Sequence, residues 1–446
     1  MVQLSRRNRY GVILLALVGV LALLAAACGG DDNSSTTPTK AATSAGSPAA
    51  SASAAASPTS SASDAQKQLA TMKGDTTGVT DTEIKIGSNY AKTGPASVYN
   101  DIELAWNTYF DEVNKKGGIN GRKIKFIVED DGYNPSNTVN VIKKMVEQDQ
   151  VFMIFNGLGT APGLAVLDYL KQNNVPSLFI ASGASAWARN GSGIIGLQPD
   201  YVTEGSVLGK QMAQDAKGKK YGILYQNDDF GKDGRDGLKK GVGDALQLVG
   251  EETYEANAAD INAQATKLIN AGAEVIGVYA TPAQFAAALK FTKSAGKNVT
   301  WYSSSVTASG ATAKLAEGAM DGVFTAGYAP DPTDPDPKVQ KVVQFYKDHG
   351  VANPNSFQLF GWMAAEHLER LLTVAGKNLN RATLIYALDN VAFQGDWQST
   401  LLYKPTIITA QDHKPIEYMF IQKWNEAAKK FDFDITKIVD VETTKK

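Results

Sequence analysis

The sequence predicts an α/β fold built from two doubly wound parallel-sheet lobes. Beyond residue 80, short β-rich runs alternate with longer amphipathic runs, which is typical of parallel strands covered by helices on both faces. A break in this alternation at residues 193–201 separates two such series. The chain has 446 residues, 43% of them hydrophobic, and a single cysteine, so burial rather than disulfide bonds must stabilise the fold.

The alternation assigns the elements in order. The first series has strands at 84–87, 123–129, 151–155 and 177–180 and helices at 102–115, 136–148 and 164–172. The second series has strands near 221–226, 274–279, 300–303 and 322–325 and helices near 204–214, 234–245, 262–270 and 283–294. After them, residues 338–390 are mostly helical and residues 401–424 are again strand-like.

The N-terminus has the pattern of an export signal. Three arginines within residues 6–9 precede an apolar run at 11–26, which leads through small residues to Cys28. The apolar run is too short for a membrane span. The segment resembles the lipobox of bacterial lipoproteins, although Ala25 stands where leucine is usual. We therefore predict a signal peptide at 1–27 and a diacylglycerol on Cys28; an ordinary secretory signal with an incidental cysteine is the alternative.

The segment after the cysteine predicts a tether. Residues 29–64 are almost entirely Ala, Ser, Thr, Pro and Gly, without an aromatic residue, and such a segment cannot bury enough surface to offset its ordering entropy. We expect a flexible tether over 28–78, partly ordered from residue 64 where it leads into the fold, that anchors the protein by lipid to the outer face of the cell membrane. The net charge of −2 gives no electrostatic basis for binding nucleic acid.

The residues that catalysis or metal binding would need are sparse. The three histidines, His349, His367 and His413, have no neighbours at metal-ligand spacing, and no nucleophile motif occurs. Asp130-Asp131 and the acidic, proline-rich residues 331–337 lack the spacing of a calcium loop. We therefore expect no enzyme, no metal and no cofactor.

A glycine-rich loop at 155–163 follows a strand and opens a helix. Gly157-x-Gly159 looks like the start of a dinucleotide fingerprint, but the third glycine comes late and no acidic residue ends the next strand. The loop can still offer backbone N–H groups to an anionic ligand group. A tight turn without a ligand is the alternative.

An ordered set of motifs carries a resemblance to a known family. The motifs are IKIG (84–87), TGP (93–95), NKKGGINGRKI (114–124), EDD (129–131), ASGAS (181–185) and YQNDDFG (225–231). From about residue 82 to residue 430 the chain resembles the periplasmic binding proteins of branched-chain amino-acid ABC importers.

That resemblance implies a class I fold whose lobes are joined by a multi-strand hinge. It implies a first lobe of 79–200 and 327–392 and a second lobe of 201–326 and 393–446. It further implies a monomeric extracytoplasmic solute-binding receptor that holds a small amino acid, amide or organic carboxylate between the lobes and delivers it to a permease. A ligand sensor that reports to a membrane signalling partner would use the same cleft and is the alternative.

The resemblance also implies which residues contact the ligand. They are Tyr99, Gly159, Thr160, Ala161, Ser182, Gly183, Ala184, Ser185, Tyr201, Phe230 and Ser304. The aromatic members could instead be ordinary core residues. Hydroxyl and backbone N–H groups suit a ligand carboxylate, because they bind it without an unpaired counter-charge.

One departure from the family concerns the ligand's ammonium group. Amino-acid binders of this family place a carboxylate where this chain has Ser303-Ser304-Ser305, and a buried ammonium without a counter-charge is strongly disfavoured. Either another acid, among Asp200, Glu204 and Asp229, takes that role, or the ligand has no ammonium group.

Overall fold

The computed structural model describes residues 58–441, with side chains from residue 64 onward. The predicted signal peptide, Cys28 and the part of the tether before residue 58 lie outside the described residues. Within the described part, no helix combines the length and hydrophobicity that crossing a bilayer requires.

The first lobe contains a five-stranded parallel sheet. Its elements in chain order are α1 (Pro58–Thr71), β1 (Glu83–Tyr90), α2 (Asn100–Lys115), β2 (Lys123–Asp130), α3 (Pro135–Glu147), β3 (Met153–Phe155), α4 (Thr160–Gln172), β4 (Ser177–Ile180) and β5 (Ile194–Gly196). The strand order is β2-β1-β3-β4-β5. The chain therefore places β2 on one side of β1 and β3 on the other side. Open parallel sheets bind ligands at the point where the strand order changes direction in this way.

The second lobe begins with another alternating series. Its elements are α5 (Tyr201–Asp215), β6 (Lys220–Gln226), α6 (Asp229–Val242), β7 (Gln247–Tyr254), α7 (Asn262–Asn270), β8 (Val275–Tyr279), α8 (Pro282–Ser294), β9 (Thr300–Ser303), α9 (Gly310–Leu315) and β10 (Phe324–Gly327). The five strands are parallel, in the order β7-β6-β8-β9-β10.

Helices α5 and α6 pack closely because glycines lie at their contact. A Cβ atom on Gly205 would lie 2.6 Å from the carbonyl oxygen of Gly234, and one on Gly237 would lie 2.3 Å from that of Val202. Any larger side chain at these positions would push the helices apart. The position of α5, which carries Glu204, is therefore fixed by this contact.

The C-terminal part of the chain contributes to both lobes. Its elements are α10 (Pro337–Asp348), α11 (Ser356–Ala375), α12 (Arg381–Ala387), β11 (Tyr418–Asn425), β12 (Lys430–Phe433) and β13 (Val439–Asp440). Helix α11 packs on α2 of the first lobe, where a Cβ atom on Gly361 would lie 2.6 Å from the Cβ of Ala105. Strand β11 extends the second sheet antiparallel to β10 and itself pairs with β12 and β13.

The two-lobed α/β fold predicted from the sequence is confirmed, with the addition that the second sheet is mixed. The chain passes between the sheets three times: after β5, after β10 and between α12 and β11. The boundaries expected for each lobe stay predictions.

Three local expectations differ from the structure. Strand β7 was not expected, because Gly250, Glu251 and Glu252 give this half-exposed edge strand no hydrophobic pattern. Residues 401–417 contain no strand: Pro405 and Pro415 lack the N–H that a ladder needs, and the apolar side chains instead pack as an irregular cover.

The C-terminal end of the expected tether is ordered from residue 58, earlier than the sequence indicates. Residues 58–71 form α1, in which Leu69 is buried. The side-chain amide of Asn378 donates to the carbonyl oxygens of Leu69 and Met72, each at 2.8 Å, and Arg381 pairs with Asp75 at 2.6 Å. These contacts dock α1 and the residues after it on the first lobe.

Candidate ligand-binding cleft

A cleft lies between the two lobes and contains about 890 Å³ of empty space, part of it open to solvent. Its first-lobe wall comes from loops at the carboxyl ends of β1, β2, β3 and β4 and from α11, and its second-lobe wall from the ends of β8, β9 and β10 and the starts of α5 and α6. The lining is mainly aromatic and aliphatic, with isolated hydroxyl and amide groups. Such a cleft suits a small ligand with an apolar body and a few polar groups.

The loop between β3 and α4 brings the chain close to the cleft through a glycine. Gly159 has a φ of +100°, and a Cβ atom there would lie 2.5 Å from the ring of Tyr133. Glycine at this position lets the first turn of α4 face the cleft, where Thr160 contributes its side chain. The first N–H groups of a helix have no partner within the helix, so they are available to an acceptor.

A buried chain of hydrogen bonds orients the hydroxyl of Thr160. The Oγ of Ser182 accepts from the Nε1–H of Trp187 at 3.0 Å and from the N–H of Ala184 at 3.2 Å. It also lies 2.7 Å from the Oγ1 of Thr160. Since a hydroxyl has two lone pairs and one hydrogen, Ser182 donates its own hydrogen to Thr160. Thr160 is then left with a hydrogen to donate toward the cleft.

The second-lobe wall carries a hydroxyl backed by an acid. Ser305 lines the cleft, and its N–H and Oγ both donate to Oε2 of Glu204, at 3.3 Å and 2.5 Å. Glu204 is 0% exposed, and its Oε1 has no hydrogen-bond partner. Burial raises the pKa of Glu204, while the hydroxyls of Ser304, Ser305 and Tyr279 oppose that rise. Of the acids that could replace the missing family carboxylate, this is the one beside Ser304-Ser305.

The two other acids have different surroundings. Asp200 caps α5 by accepting from the N–H of Thr203 at 2.9 Å, and it lies 3.8 Å from the ammonium of Lys414. Asp229 is exposed at the start of α6. Among the described residues that line the cleft there is no Lys, Arg or His, and the one acid is Asp331. Its Oδ1 accepts from the N–H and hydroxyl of Thr333, which closes a local turn.

Aromatic side chains form much of the apolar lining. Tyr99 packs edge-to-face on Phe357 with ring centroids 5.1 Å apart, and Tyr201 packs similarly on Phe230 at 5.0 Å. The hydroxyl of Tyr99 also donates across the cleft to the carbonyl oxygen of Val306 at 3.3 Å. Tyr99 therefore combines an apolar ring face with a contact between the lobes.

A second contact between the lobes lies beside the cleft. The N–H and Oγ of Ser185 donate to the carboxylate of Asp233 on α6, at 2.7 Å and 2.9 Å. Arg189 donates to the same hydroxyl at 2.8 Å. Both hydrogen-bond donors of Ser185 are therefore used in this contact between the lobes.

The structure divides the residues expected to bind ligand into two groups. Those that line the cleft are Tyr99, Gly159, Thr160, Tyr201 and Phe230. Those that do not line it are Ala161, Ser182, Gly183, Ala184, Ser185 and Ser304. Ligand contact stays a prediction for all of them.

Several lining residues were not anticipated from the sequence, among them Tyr133, Thr281, Ser305, Tyr328 and Phe357. Thr281 follows the end of β8, and its place at the carboxyl end of a parallel strand was a usable signal. Phe357 lies on a helix that returns from the far end of the sequence, and nothing local indicates its position.

The two buried histidines, His367 and His413, have structural surroundings. His367 is fully buried between the carbonyl oxygen of Met363 and the hydroxyl of Thr406, and burial lowers its pKa to about 4. His413 lies 3.0 Å from Asp389. Within residues 58–441, no three His, Cys, Asp or Glu side chains come together to hold a metal ion.

Comparison of the chain with known proteins identifies one family and relatives that are binding proteins by name. The periplasmic binding protein family matches residues 83–430. The chain is 24% identical over 302 residues to the leucine-, isoleucine-, valine-, threonine- and alanine-binding protein of Pseudomonas aeruginosa, covering 66% of this chain and 79% of that protein. It is 26% identical over 309 residues to Leu/Ile/Val-binding protein homolog 1 of Brucella abortus, covering 66% and 80%.

Solved structures share the fold. A fatty acid ABC transporter substrate-binding protein from Thermomonospora curvata superposes with a TM-score of 0.73 at 21% identity, covering 83% of this chain and 96% of that one. A branched-chain amino acid ABC transporter protein from Thermus thermophilus with bound valine gives 0.72 at 19% identity, covering 81% and 97%. With the match over residues 83–430, this chain belongs to the periplasmic binding protein family, and it has the class I fold of these solved structures.

Proposed function

We propose that this protein is the extracytoplasmic solute-binding receptor of an ABC importer. The observation that carries the proposal is the cleft itself, because both lobes supply its walls and contact each other beside it. A ligand held there is enclosed when the lobes close by hinge motion. Three separate crossings of the chain between the sheets provide the hinge.

The lining supports a small ligand with an apolar body and at least one polar end. The rings of Tyr99, Tyr201 and Phe230 suit the apolar part. The hydroxyl of Thr160 and the N-terminus of α4 suit a carboxylate or an amide oxygen. Amino acids, aliphatic amides and small organic carboxylates share these features, and the relatives named for leucine, isoleucine and valine binding favour the first class.

Delivery to a permease and attachment to the membrane belong to the same proposal. The arginine-rich start, the apolar run and Cys28 support export and lipidation on the outer face of the membrane. Lipidation predicts that Cys28→Ser releases the protein from the membrane fraction into the medium, while a detergent extract of the unchanged protein partitions into the detergent phase. If the Cys28→Ser variant stayed in the membrane fraction together with the unchanged protein, the lipid anchor would be contradicted.

The test of binding is a thermal unfolding screen of the purified protein. The panel comprises leucine, valine, phenylalanine, propionamide, urea, benzoate and a medium-chain fatty acid. A ligand present at about 1,000 times its Kd stabilises the folded state by about 4 kcal/mol. We expect at least one member to raise the melting temperature in a concentration-dependent way, with binding confirmed by calorimetry. No stabilisation by any member would contradict a receptor for these ligand classes.

A further inference from the structure

The cleft is elongated along the edge of the second sheet. Its lining includes Thr281 after β8, Ser305 after β9, Gly327 at the end of β10, Gln422 in β11 and Phe431 in β12. These strands are neighbours in that order in the sheet. Because neighbouring strands lie about 4.8 Å apart, the lining extends over a distance on the order of 19 Å. The cleft therefore continues well past the hydroxyl of Ser305.

The part of the cleft lined by residues 326–331, Gln422 and Phe431 is here called the distal arm. Its wall after β10 reads Ala-Gly-Tyr-Ala-Pro over residues 326–330, and alanine and glycine fill little of the space in front of them. The whole cleft holds about 890 Å³ of empty space, part of it open to solvent, whereas ligand pockets range from about 300 to 1,000 Å³. The arm thus adds room beside the space between Thr160 and Ser305.

The polar side chains in and beside the distal arm already have partners in the protein. The Nε2–H of Gln198 donates to the hydroxyl of Tyr328 at 3.4 Å, and that of Gln422 donates to the carbonyl oxygen of Ala326 at 3.5 Å. Asp331 accepts within its own local turn. Buried polar groups with partners need none from a ligand, so the arm suits an apolar chain.

The first lobe adds an apolar face to the same cleft. Phe357, Phe360 and Met363 line it from α11, and their spacing of three residues places them on one side of the helix. Gly361 lies on another side of α11, against α2. The helix therefore turns an aromatic and thioether surface toward the cleft, which adds apolar area for a ligand to cover.

We propose that the distal arm binds a linear alkyl chain, so that the ligand has a polar head between Thr160 and Ser305 and a tail that extends along the ends of β10, β11 and β12. The inference rests on the proposed receptor function and adds the length of the ligand's apolar part. Each methylene group that the arm removes from water should tighten binding by about fourfold.

The experiment compares ligands that share a head and differ in the length of the tail. Calorimetry measures the Kd of butyrate against octanoate, of butanamide against octanamide, and of 2-aminobutyrate against 2-aminooctanoate. In the head class that binds, we expect the long member to bind at least about 100-fold more tightly than the short one. Equal affinities, or weaker binding of the long member, would overturn the inference.

A variant that fills the arm tests where the tail lies. Ala329 is partly exposed and lines the arm, so Ala329→Leu narrows the arm without disturbing the core. The long member should lose at least about tenfold in affinity and the short member less than about threefold. The matched control is Ala311→Leu, because Ala311 is also partly buried at the edge of the same hydrophobic cluster but does not line the cleft. Equal losses for both members in Ala329→Leu would overturn the inference.

A second variant changes the far end of the arm in the opposite direction. Phe431→Leu shortens the side chain in β12, so dodecanoate should gain at least about fourfold in affinity relative to octanoate; thermal unfolding checks that the variant is folded. No gain in the folded variant would contradict an alkyl chain at this end.

The remaining outcomes separate this inference from the receptor function. A wild-type protein that binds short members alone overturns the role of the arm and leaves the receptor function standing. A wild-type protein that binds no member of the three pairs, and none of the wider panel, overturns both.

Discussion

The two walls of the cleft present the same functional group with opposite polarity. On the first lobe, Thr160 is backed by Ser182, whose oxygen is already saturated by two N–H donors, so the threonine donates. On the second lobe, Ser305 is backed by Glu204, so the serine accepts. The comparison teaches that the role of a surface hydroxyl is decided by the buried group behind it.

The largest expected effect on stability and binding comes from filling the space beside Thr160, on the first-lobe wall of the cleft. Gly159→Ala places a Cβ within 2.5 Å of the Tyr133 ring at a φ of +100°, so the start of α4 must shift. We expect a loss of about 3 kcal/mol in the free energy of unfolding, from combined strain and overpacking, and no measurable ligand binding by calorimetry.

The matched control for that change is Gly117→Ala. Gly117 has a similar φ of +104° but nothing within 4 Å of the added Cβ. It should lose about 1–2 kcal/mol from backbone strain alone and bind ligand normally. Equal behaviour of the two variants would show that the contact with Tyr133 is unimportant.

A smaller effect is expected from removing the donor itself. Thr160→Val keeps the shape of the side chain but removes the hydroxyl that faces the cleft. A hydrogen bond to a charged group contributes about 1.5–3 kcal/mol, so the affinity for a carboxylate ligand should fall by at least about tenfold. The corresponding amide or alcohol, tested by calorimetry, should be affected less. An unchanged Kd for the carboxylate would contradict the donor role.

The buried acid behind the second-lobe wall, Glu204, can be tested through the pH dependence of stability. Burial raises the pKa of Glu204, so the folded state binds this proton more tightly than the unfolded chain does. The resulting stabilisation is complete below the unfolded pKa of about 4.3 and is lost as the pH rises through the folded pKa. The unfolding free energy of the ligand-free wild type, relative to Glu204→Gln, should therefore fall as the pH rises from about 4 through the raised folded-state pKa of Glu204.

Glu112 provides the opposite case for the pH experiment. Hydrogen bonds from Lys115 and His349 lower its pKa, so the wild-type protein should gain stability over Glu112→Gln as the pH rises through the acidic range. Denaturant unfolding at several pH values measures both trends. The same sign for the two variants would contradict the assignment of Glu204 as an acid with a raised pKa.

The smallest effect on affinity is expected at the contact between the two lobes that Ser185 and Asp233 form beside the cleft. Asp233→Asn weakens the contact of α6 with Ser185 and should reduce affinity by about threefold, because a less populated closed state lowers the apparent affinity in proportion. Asp236→Asn, on the exposed face of the same helix, should have no effect. A faster ligand off-rate in stopped-flow measurements would accompany the first variant, and equal off-rates would contradict a closing role.

The first-lobe wall was more accessible to prediction from sequence than the second. Gly159 and Thr160 lie in the glycine-rich loop and at the helix start that come after a short apolar strand, so chain order and glycine chemistry point to them. Glu204 lies within a helix, and Ser305 is about 100 positions away in the sequence, so the two residues meet only after folding. Their contact depends on the position of α5, which the glycine contact between α5 and α6 fixes. Sequence reasoning could name Glu204 as one of three candidates but could not choose among them.

The same distinction applies to the fold. The alternation of strands and helices predicted the two parallel sheets, because periodicity is a local property. Edge strand β7 was missed, since half-exposed glycine and glutamate side chains leave no such pattern. The irregular cover at 401–417 was taken for strands because its buried residues, such as Leu402 and Ile408, are apolar without being paired.

Helix α1 fixes where the described chain begins relative to the two lobes. Asn378 and Arg381 fasten the segment around α1 to the first lobe, which also carries Thr160. A force applied at residue 58 is therefore transmitted to the wall that carries Thr160. In the proposed hinge motion, the wall with Ser305 and Glu204 moves relative to that fixed end.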